Sequence, residues 1–386
     1  MKVCFETFGC RLNKAEALQM EADYLASGWE VTTKHADANL FVVRGCSVTA
    51  RAQYECEKLI AHLKRHYPSA SIKTCGCLKS NDSTPISPLQ PSPHSQSLPI
   101  RTARAYLKVQ DGCAGKCTFC IVPKFRGESR SESFTDLLDR AKRFIDAGYH
   151  EIVVTGCNLA LYASEGRRLP ELISSLAALD AGCRIRMGSL EPGTCALETV
   201  SAMAEAPNVC RFLHLPVQSG SNRILRAMQR PYVVKDVEKT TALAVKLMPD
   251  LGLGCDLMAG FPGESELDFA ATRGLLKRLP FVHAHVFPFS KRPGTLAAGF
   301  PRQIAKDIRS ARARLLAEDM RAKRRQFAKT FIGKTVEVVV EDEKTGRGWT
   351  GEYLPCEPLA GSFVRKSIAL VFVTKTRDDL LLGNLR

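Results

Sequence analysis

Residues 111–120 read DGCAGKCTFC and set Cys113, Cys117 and Cys120 within eight positions, directly behind the alternating run AYLKVQ at 105–110. That run predicts a strand, so the three thiols follow on a strand's C-terminal end, where parallel α/β architectures carry their chemistry. The same alternation returns downstream at EIVVTG (151–156), RIRMGS (184–189), RFLHLPV (211–217), GCDLMAGF (254–261) and HAHVFPFS (283–290). Helical patterns such as FTDLLDRAKRFIDAG (134–148) and LDFAATRGLLKRL (267–279) separate these strands. Six βα units in a row predict a parallel, partial barrel over residues 101–300, since an eight-fold set is not present.

Working outward, residues 1–79 alternate KVCFETF, KAEALQMEADYLASG, NLFVVRG, VTARAQYECEKLIAHLKRHY and SIKTCG, a βαβ pattern that predicts a small parallel α/β sheet domain. Residues 80–100 are rich in Ser and Pro without an apolar period and read as a linker. Residues 301–330 read as a basic helix, in which Ile304, Ile308, Ala311 and Leu315 are spaced for one buried stripe. From 331 to 386, KTVEVVVED, GWTGEYL, SIALVFV and DLLLG alternate like a small antiparallel β-barrel. The fold class is therefore α/β with a β-barrel appended.

Composition bounds the function. No stretch is apolar enough to span a bilayer, and MKVCFETFGC lacks the apolar segment of a signal peptide, so a cytoplasmic protein without membrane attachment is expected. Fifteen cysteines in such a chain point to reduced thiols and metal ligation before disulfides. The net charge of +15 suits a polyanionic partner. Residues 302–330 hold ten Lys or Arg against three Asp or Glu, a net +7, so nearly half the excess sits in the basic helix, as RNA contact or as a solvated face. The C-terminal segment balances eight basic against eight acidic residues and gains no such argument from composition.

A structural zinc site at Cys113, Cys117 and Cys120 would need a fourth ligand, and no Cys or His occurs in the next 29 residues. Three thiolates instead suit a 4Fe-4S cluster with one iron left open. The C-x-x-x-C-x-aromatic-C pattern on the first strand of six βα units resembles the radical S-adenosylmethionine superfamily. That resemblance implies that the open iron chelates S-adenosylmethionine, and that reductive cleavage yields a radical able to abstract hydrogen from an unactivated C–H. It also implies cofactor contacts at Gly156 and Asn158 in TGCNL, Ser189 and Glu191 in GSLEP, Gln218 in LPVQSGS and Gly260 in GFPGE. No acid–base pair is then needed, and the eight histidines show no spacing constellation.

Gly9-Cys10, Gly45-Cys46 and Gly76-Cys77 each stand where a predicted strand ends, so these three thiols could converge on one sheet rim. Spacing alone says little, because Gly-Cys occurs seven times in the chain. TFGCRLNKAE, GCSVTARA and CGC ahead of the radical domain, with HVFPFSKRPGT and a final β-barrel behind it, resemble the methylthiotransferases along nearly the whole chain. The resemblance implies an auxiliary 4Fe-4S cluster on Cys10, Cys46 and Cys77 and a radical cluster on Cys113, Cys117 and Cys120. It further implies a C-terminal TRAM-like domain that grips RNA beside the active site, and a reductant such as a flavodoxin or ferredoxin. FGCRLNKAE is most like the subgroup that acts on threonylcarbamoyladenosine in the anticodon stem-loop of tRNA. The isopentenyladenosine subgroup more often reads GCQMN, and the subgroup acting on an aspartate of a ribosomal protein LGCPKN. Two features depart from the family: Arg44-Gly45 stands where Asn-Thr is usual, and only 35 residues separate Cys77 from Cys113. The expectation is a monomeric, radical tRNA methylthiotransferase. Methylthiolation of isopentenyladenosine or of a ribosomal protein, and a zinc-containing RNA-binding protein, are the alternatives.

Overall fold

The computed structural model describes residues 1–77, 103–342, 347–364 and 367–386, so the linker expected at 80–100 lies outside the described residues. The N-terminal part runs β1 (Lys2–Thr7), α1 (Arg11–Ala26), β2 (Glu30–Val31), β3 (Leu40–Gly45), α2 (Ala50–His66) and β4 (Ser71–Gly76). Its sheet has the order β2-β1-β3-β4 with every pair parallel. Val3, Phe41, Val42 and Val43 are fully buried in it. Thr49 caps α2 by accepting the Ala52 N–H at 3.1 Å, which satisfies a donor that the first turn leaves unpaired.

The central part runs β5 (Arg104–Asp111), α3 (Val122–Arg126), β6 (Arg130–Ser131), α4 (Phe134–Asp146), β7 (Glu151–Gly156), a hairpin of β8 (Ala163–Ser164) and β9 (Arg167–Arg168), α5 (Leu169–Leu179), β10 (Arg184–Met187), α6 (Thr194–Glu205), β11 (Phe212–Gln218), α7 (Asn222–Ala227), α8 (Val234–Leu247), β12 (Gly252–Ala259), α9 (Glu266–Arg278) and β13 (Phe281–Pro288). Strands β5, β7 and β10 form one parallel sheet, with β6 antiparallel at its edge, and β11, β12 and β13 form another. Parallel bridges Ile185–Val209 and Ser189–His214 join the two into one curved wall of six strands. Alternate residues divide between its faces. Leu107, Val154, Ile185, Leu215 and Leu257 pack outward against the helices, among them Leu137, Leu176, Met203 and Leu275. The other set, which includes Tyr106, Glu151, Arg186, His214, Asp256 and His285, faces the lumen.

Helix α10 (Lys306–Lys329) packs along β13 and differs from the expected stripe. Its buried positions are Arg312, Leu316, Met320 and Ala328, whereas Ile308 and Leu315 are exposed. The register shifts because two cations are drawn inward. Arg312 pairs with Glu264 at 2.6 Å, and Lys323 donates to the Leu276 and Leu279 carbonyls at 2.5 Å, closing the C-terminus of α9. Arg324 donates to the Tyr353 carbonyl at 2.8 Å and pairs with Asp379. Part of the basic surplus is thus structural rather than free for RNA.

The C-terminal barrel closes in the order β14 (Thr335–Asp342), β15 (Arg347–Thr350), β16 (Pro355–Pro358), β18 (Leu380–Leu385), β17 (Ile368–Arg377), antiparallel except for the β16–β18 pair. It docks on the starts of the central strands, at the opposite end from their C-terminal rim and not beside the cysteine loop. The reason is electrostatic. Glu151, fully buried at the start of β7, receives Arg104 at 2.9 Å, Arg186 at 2.6 Å and Arg184 at 3.0 Å. Three guanidiniums have more donors than one carboxylate accepts. The rest go to C-terminal carbonyls: Arg184 to Glu337 and Trp349 at 3.1 Å, Arg186 to Thr350 at 2.8 Å and Gly351 at 3.1 Å.

Although burial alone would raise its pKa, the three arginines hold the Glu151 carboxyl well below its ordinary value. Replacing Glu151 by Gln is therefore expected to cost on the order of 3–5 kcal/mol in denaturant unfolding. A depressed carboxylate stabilises above the ordinary carboxylate range and loses that contribution as pH falls through the depressed value. The wild-type-to-variant gap should then stay constant from about pH 8 to about pH 5.

Candidate active site

The cysteine loop is anchored by Gln110, a fully buried side chain at the end of β5. Its amide donates to the Gly112 carbonyl at 2.7 Å and to Ser129 Oγ at 2.9 Å, while its Oε1 accepts the Asn158 N–H at 2.9 Å. One side chain thus fixes both the start of the loop and the turn after β7. Gly112 has φ +68°, and a Cβ there would lie 1.8 Å from the Glu128 carbonyl oxygen, so only glycine serves. The loop then crosses to α7, with the Thr118 N–H donating to the Met228 carbonyl at 3.1 Å, and Phe119 meets Phe261 edge-on.

Cys113, Cys117 and Cys120 sit within electrostatic reach of one another and are part-exposed. Burial pushes Cys120 up to about 11, and it also raises Cys117 despite Arg230. Arg230 Nη1 lies 3.0 Å from Cys117 Sγ, and its other end pairs with Glu191, which in turn accepts from Asn158 Nδ2 at 3.0 Å. Of the cofactor positions expected from sequence, Asn158 and Glu191 therefore join one hydrogen-bonded chain ending on a thiol. Gly156 ends β7 against Gln110, and Ser189 bridges to His214. Gln218 and Gly260 end β11 and β12 on the same rim without joining that chain; the Gly260 N–H donates to Glu264 at 2.8 Å. Arg230 carried no motif in the sequence, and only the fold brings it to the loop.

The N-terminal thiols also converge. Cys10 follows β1 and is the exposed N-cap of α1, Cys46 follows β3, and Cys77 follows β4. Burial raises the Cys46 thiol, and the nearby Cys10 and Cys77 add to it. Gly9, at φ +88°, would place a Cβ 2.6 Å from Cys46 Cβ, so the glycine before Cys10 lets two of the thiols approach. Arg44, the departure from the family pattern, is buried and pairs with Glu16 while donating to Met20 Sδ at 2.9 Å. Cys75 is a buried strand residue beside Arg44.

The two trios share one seam. Arg126, six positions after Cys120, donates to Asn13 Oδ1 at 2.8 Å, Glu16 at 3.0 Å and Asp111 at 3.0 Å, and it lies within electrostatic reach of Cys77. Helix α1 lies across the lumen side of β5, with Lys14 over the Tyr106 ring at 5.5 Å and Lys108 3.5 Å from Glu16.

Below the rim, the lumen holds a set that the sequence reading missed. His214 Nε2 and His285 Nδ1 lie 3.1 and 3.3 Å from Asp256 Oδ1, and His283 Nε2 lies 3.1 Å from His285 Nε2. The signal was present, since His214, Asp256, His283 and His285 are all on the lumen face of adjacent strands, but only strand order makes them neighbours. His214, Asp256 and His285 together are a donor set able to hold a metal ion. Arg324 argues for another state. It can only donate, so His283 Nδ1, 2.9 Å away, accepts; His283 Nε2 then donates to His285 Nε2, and His285 Nδ1–H faces Asp256. Burial and Arg324 hold His283 down to about 3, which keeps it neutral. Tyr353 closes the floor, its ring 4.8 Å from both Phe212 and Trp349. Among the described residues no helix is long and apolar enough to cross a membrane.

Known proteins share this organisation. The Radical SAM superfamily model matches residues 107–276, and the model described as Uncharacterized protein family UPF0004 matches residues 2–94. The threonylcarbamoyladenosine tRNA methylthiotransferase MtaB of Chlamydia pneumoniae is 30% identical, with 98% of this chain and 96% of that protein aligned. The tRNA-2-methylthio-N(6)-dimethylallyladenosine synthase of Aquifex aeolicus is 31% identical over 89% of each. Among solved structures, the radical S-adenosylmethionine methyltransferase TsrM from Kitasatospora setae superposes with a TM-score of 0.56 over 77% of this chain and 76% of its own, at 12% identity, a likeness of fold.

Arg126→Ala would leave Asp111 with Lys108 alone, and Glu16 with Arg44 and the same Lys108, at a largely buried seam. The expected loss is on the order of 3–5 kcal/mol of stability, measured by thermal or denaturant unfolding, with earlier proteolytic release of the N-terminal part.

Proposed function

We propose, for a chain that belongs to the radical S-adenosylmethionine methylthiotransferases acting on tRNA, that the substrate is threonylcarbamoyladenosine beside the anticodon and that the hydrogen on its carbon 2 is replaced by a methylthio group. In this reading Cys113, Cys117 and Cys120 hold a 4Fe-4S cluster with one iron open to S-adenosylmethionine, and Cys10, Cys46 and Cys77 hold the auxiliary cluster. When bound, the clusters and S-adenosylmethionine supply the hydrogen-abstracting radical and the methylthio sulfur.

The chain's own residues bind and orient. The donor set fits: each trio presents three thiols, with the Cys56 thiol behind Cys46 accepting its backbone N–H at 3.4 Å, and the raised Cys46, Cys117 and Cys120 release protons to metal on loading. Arg230 directs a charge-assisted hydrogen bond at Cys117 and is itself held by Glu191. Asn158 and Glu191 offer a donor and an acceptor to S-adenosylmethionine at the rim, with Ser189, Gln218, Gly156 and Gly260 at the neighbouring strand ends. Residues 1–79 then serve as the auxiliary-cluster unit, 101–300 as the radical unit and 331–386 as a TRAM-like RNA-contact unit. On α10, Arg314, Arg321, Arg325 and Lys329 remain exposed toward RNA.

The observation that carries the reading is the convergence of two three-thiol groups on one seam through Arg126. The opening Cys10-Arg11-Leu12-Asn13 favours the threonylcarbamoyl substrate over the dimethylallyl one.

Mass spectrometry of tRNA nucleosides from a deletion strain should show 2-methylthio-threonylcarbamoyladenosine absent and its unmethylthiolated form accumulated. Unchanged levels would refute the substrate, and loss of the dimethylallyl product instead would identify the other. In purified protein, Cys113→Ala should abolish cleavage of S-adenosylmethionine. Cys10→Ala should carry roughly half the iron and sulfide, retain cleavage and form no methylthio product.

A further inference from the structure

We infer that Arg11 binds the carboxylate of the threonylcarbamoyl group and thereby selects this substrate over the dimethylallyl one; the inference rests on the reading above and deepens it.

Arg11 is the first residue of α1, directly after Cys10. Its Nη1 lies 3.4 Å from the Met187 carbonyl at the end of β10, and its guanidinium stands 5.6 Å above the Tyr353 ring. It therefore projects into the lumen, between the Tyr353 floor and the rim with the thiols, and is partly shielded from water.

The carboxylates around this chamber are already taken by cations within the protein. Glu151 is held by Arg104, Arg184 and Arg186, Glu16 and Asp111 by Arg126, Glu191 by Arg230, and Asp256 lies between His214 and His285. Arg324, on the far side of His283, has Asp379. Arg11 has no carboxylate within ion-pair distance among the described residues, only one carbonyl and one aromatic face. A guanidinium taken partly out of water without a counter-ion is unfavourable unless a ligand provides one. Its planar fork matches a carboxylate in two-point geometry.

The two candidate substrates share the adenine ring and the reacting carbon 2. They differ in the substituent on N6: the threonylcarbamoyl group ends in a carboxylate, and the dimethylallyl group is a hydrocarbon. Arg11 complements the first and would be left desolvated and unpaired against the second. Its place next to Cys10 sets it in the same chamber as the thiols of the sulfur-donating trio, where the substituent of a base presenting carbon 2 must lie.

The test uses the full-length, cluster-reconstituted protein and two anticodon stem-loops, one bearing threonylcarbamoyladenosine and one bearing the same nucleoside with its carboxylate converted to the primary amide. Wild-type protein should favour the acid over the amide by on the order of 10- to 100-fold in kcat/KM, chiefly through KM. Arg11→Gln should remove that preference, and Arg11→Lys should keep part of it. The ratio within each protein cancels differences in cluster loading. Equal use of acid and amide by the wild type overturns the inference. So does a preference that survives in Arg11→Gln, which would leave Arg11 as a charge that merely neutralises the auxiliary cluster. A wild-type protein that methylthiolates the dimethylallyl stem-loop and neither of these two overturns the substrate reading itself, a result distinct from the other two.

Discussion

One guanidinium, that of Arg126, holds the two thiol trios on the same side of the molecule. It belongs to the radical domain by sequence, at the end of the helix after the cysteine loop, yet most of its hydrogen bonds go to α1 of the N-terminal part. Asn13 passes the constraint inward, since its Nδ2 donates to the Phe8 carbonyl at 2.7 Å and to the Gly45 carbonyl at 3.0 Å, the residues that lead into Cys10 and Cys46. The loop of one trio and the strand ends of the other are thereby tied through two side chains. Because the network is largely buried, its members are worth most when all are present, and removing one strands the others.

The opposite end of the barrel obeys the same logic with the signs exchanged. A single buried carboxylate, Glu151, gathers three arginines, and the donors it cannot satisfy are met by carbonyls of the C-terminal barrel. That domain is therefore positioned by hydrogen-bond demand and contributes Tyr353 as the floor of the lumen. Between these two networks lies a chamber whose carboxylates already hold cations, and into which Arg11 projects with none of its own among the described residues. The basic surplus of the chain is thus divided: part of it organises the interior, and part of it faces outward on α10.

Much of the architecture was legible because it rests on local pattern. The period-two runs at AYLKVQ, EIVVTG, RIRMGS, RFLHLPV, GCDLMAGF and HAHVFPFS each coincide with a strand, and both groups of cysteines stand after strand ends as expected. The stripe on α10 was misread because apolar spacing ignores cations: Arg312 and Lys323 are drawn in by Glu264 and by the carbonyls at the end of α9, which turns the helix face. The histidines were misread for a related reason. His214, Asp256 and His285 are 29 or more positions apart along the chain, and no spacing rule links residues that meet only across neighbouring parallel strands.

The sequence by itself determined the α/β alternation and the three-cysteine loop with its place at the head of the radical domain, since these depend on side-chain period and on the spacing of residues along one stretch of chain. Only the tertiary structure decided which thiols face one another across a seam, that Arg230 reaches Cys117, that the C-terminal barrel seats on the strand starts, and that Arg11 stands without an acidic neighbour. Those are facts of charge balance in a shared interior, and charge balance is set by which distant residues the packed strands and helices bring within a few ångströms.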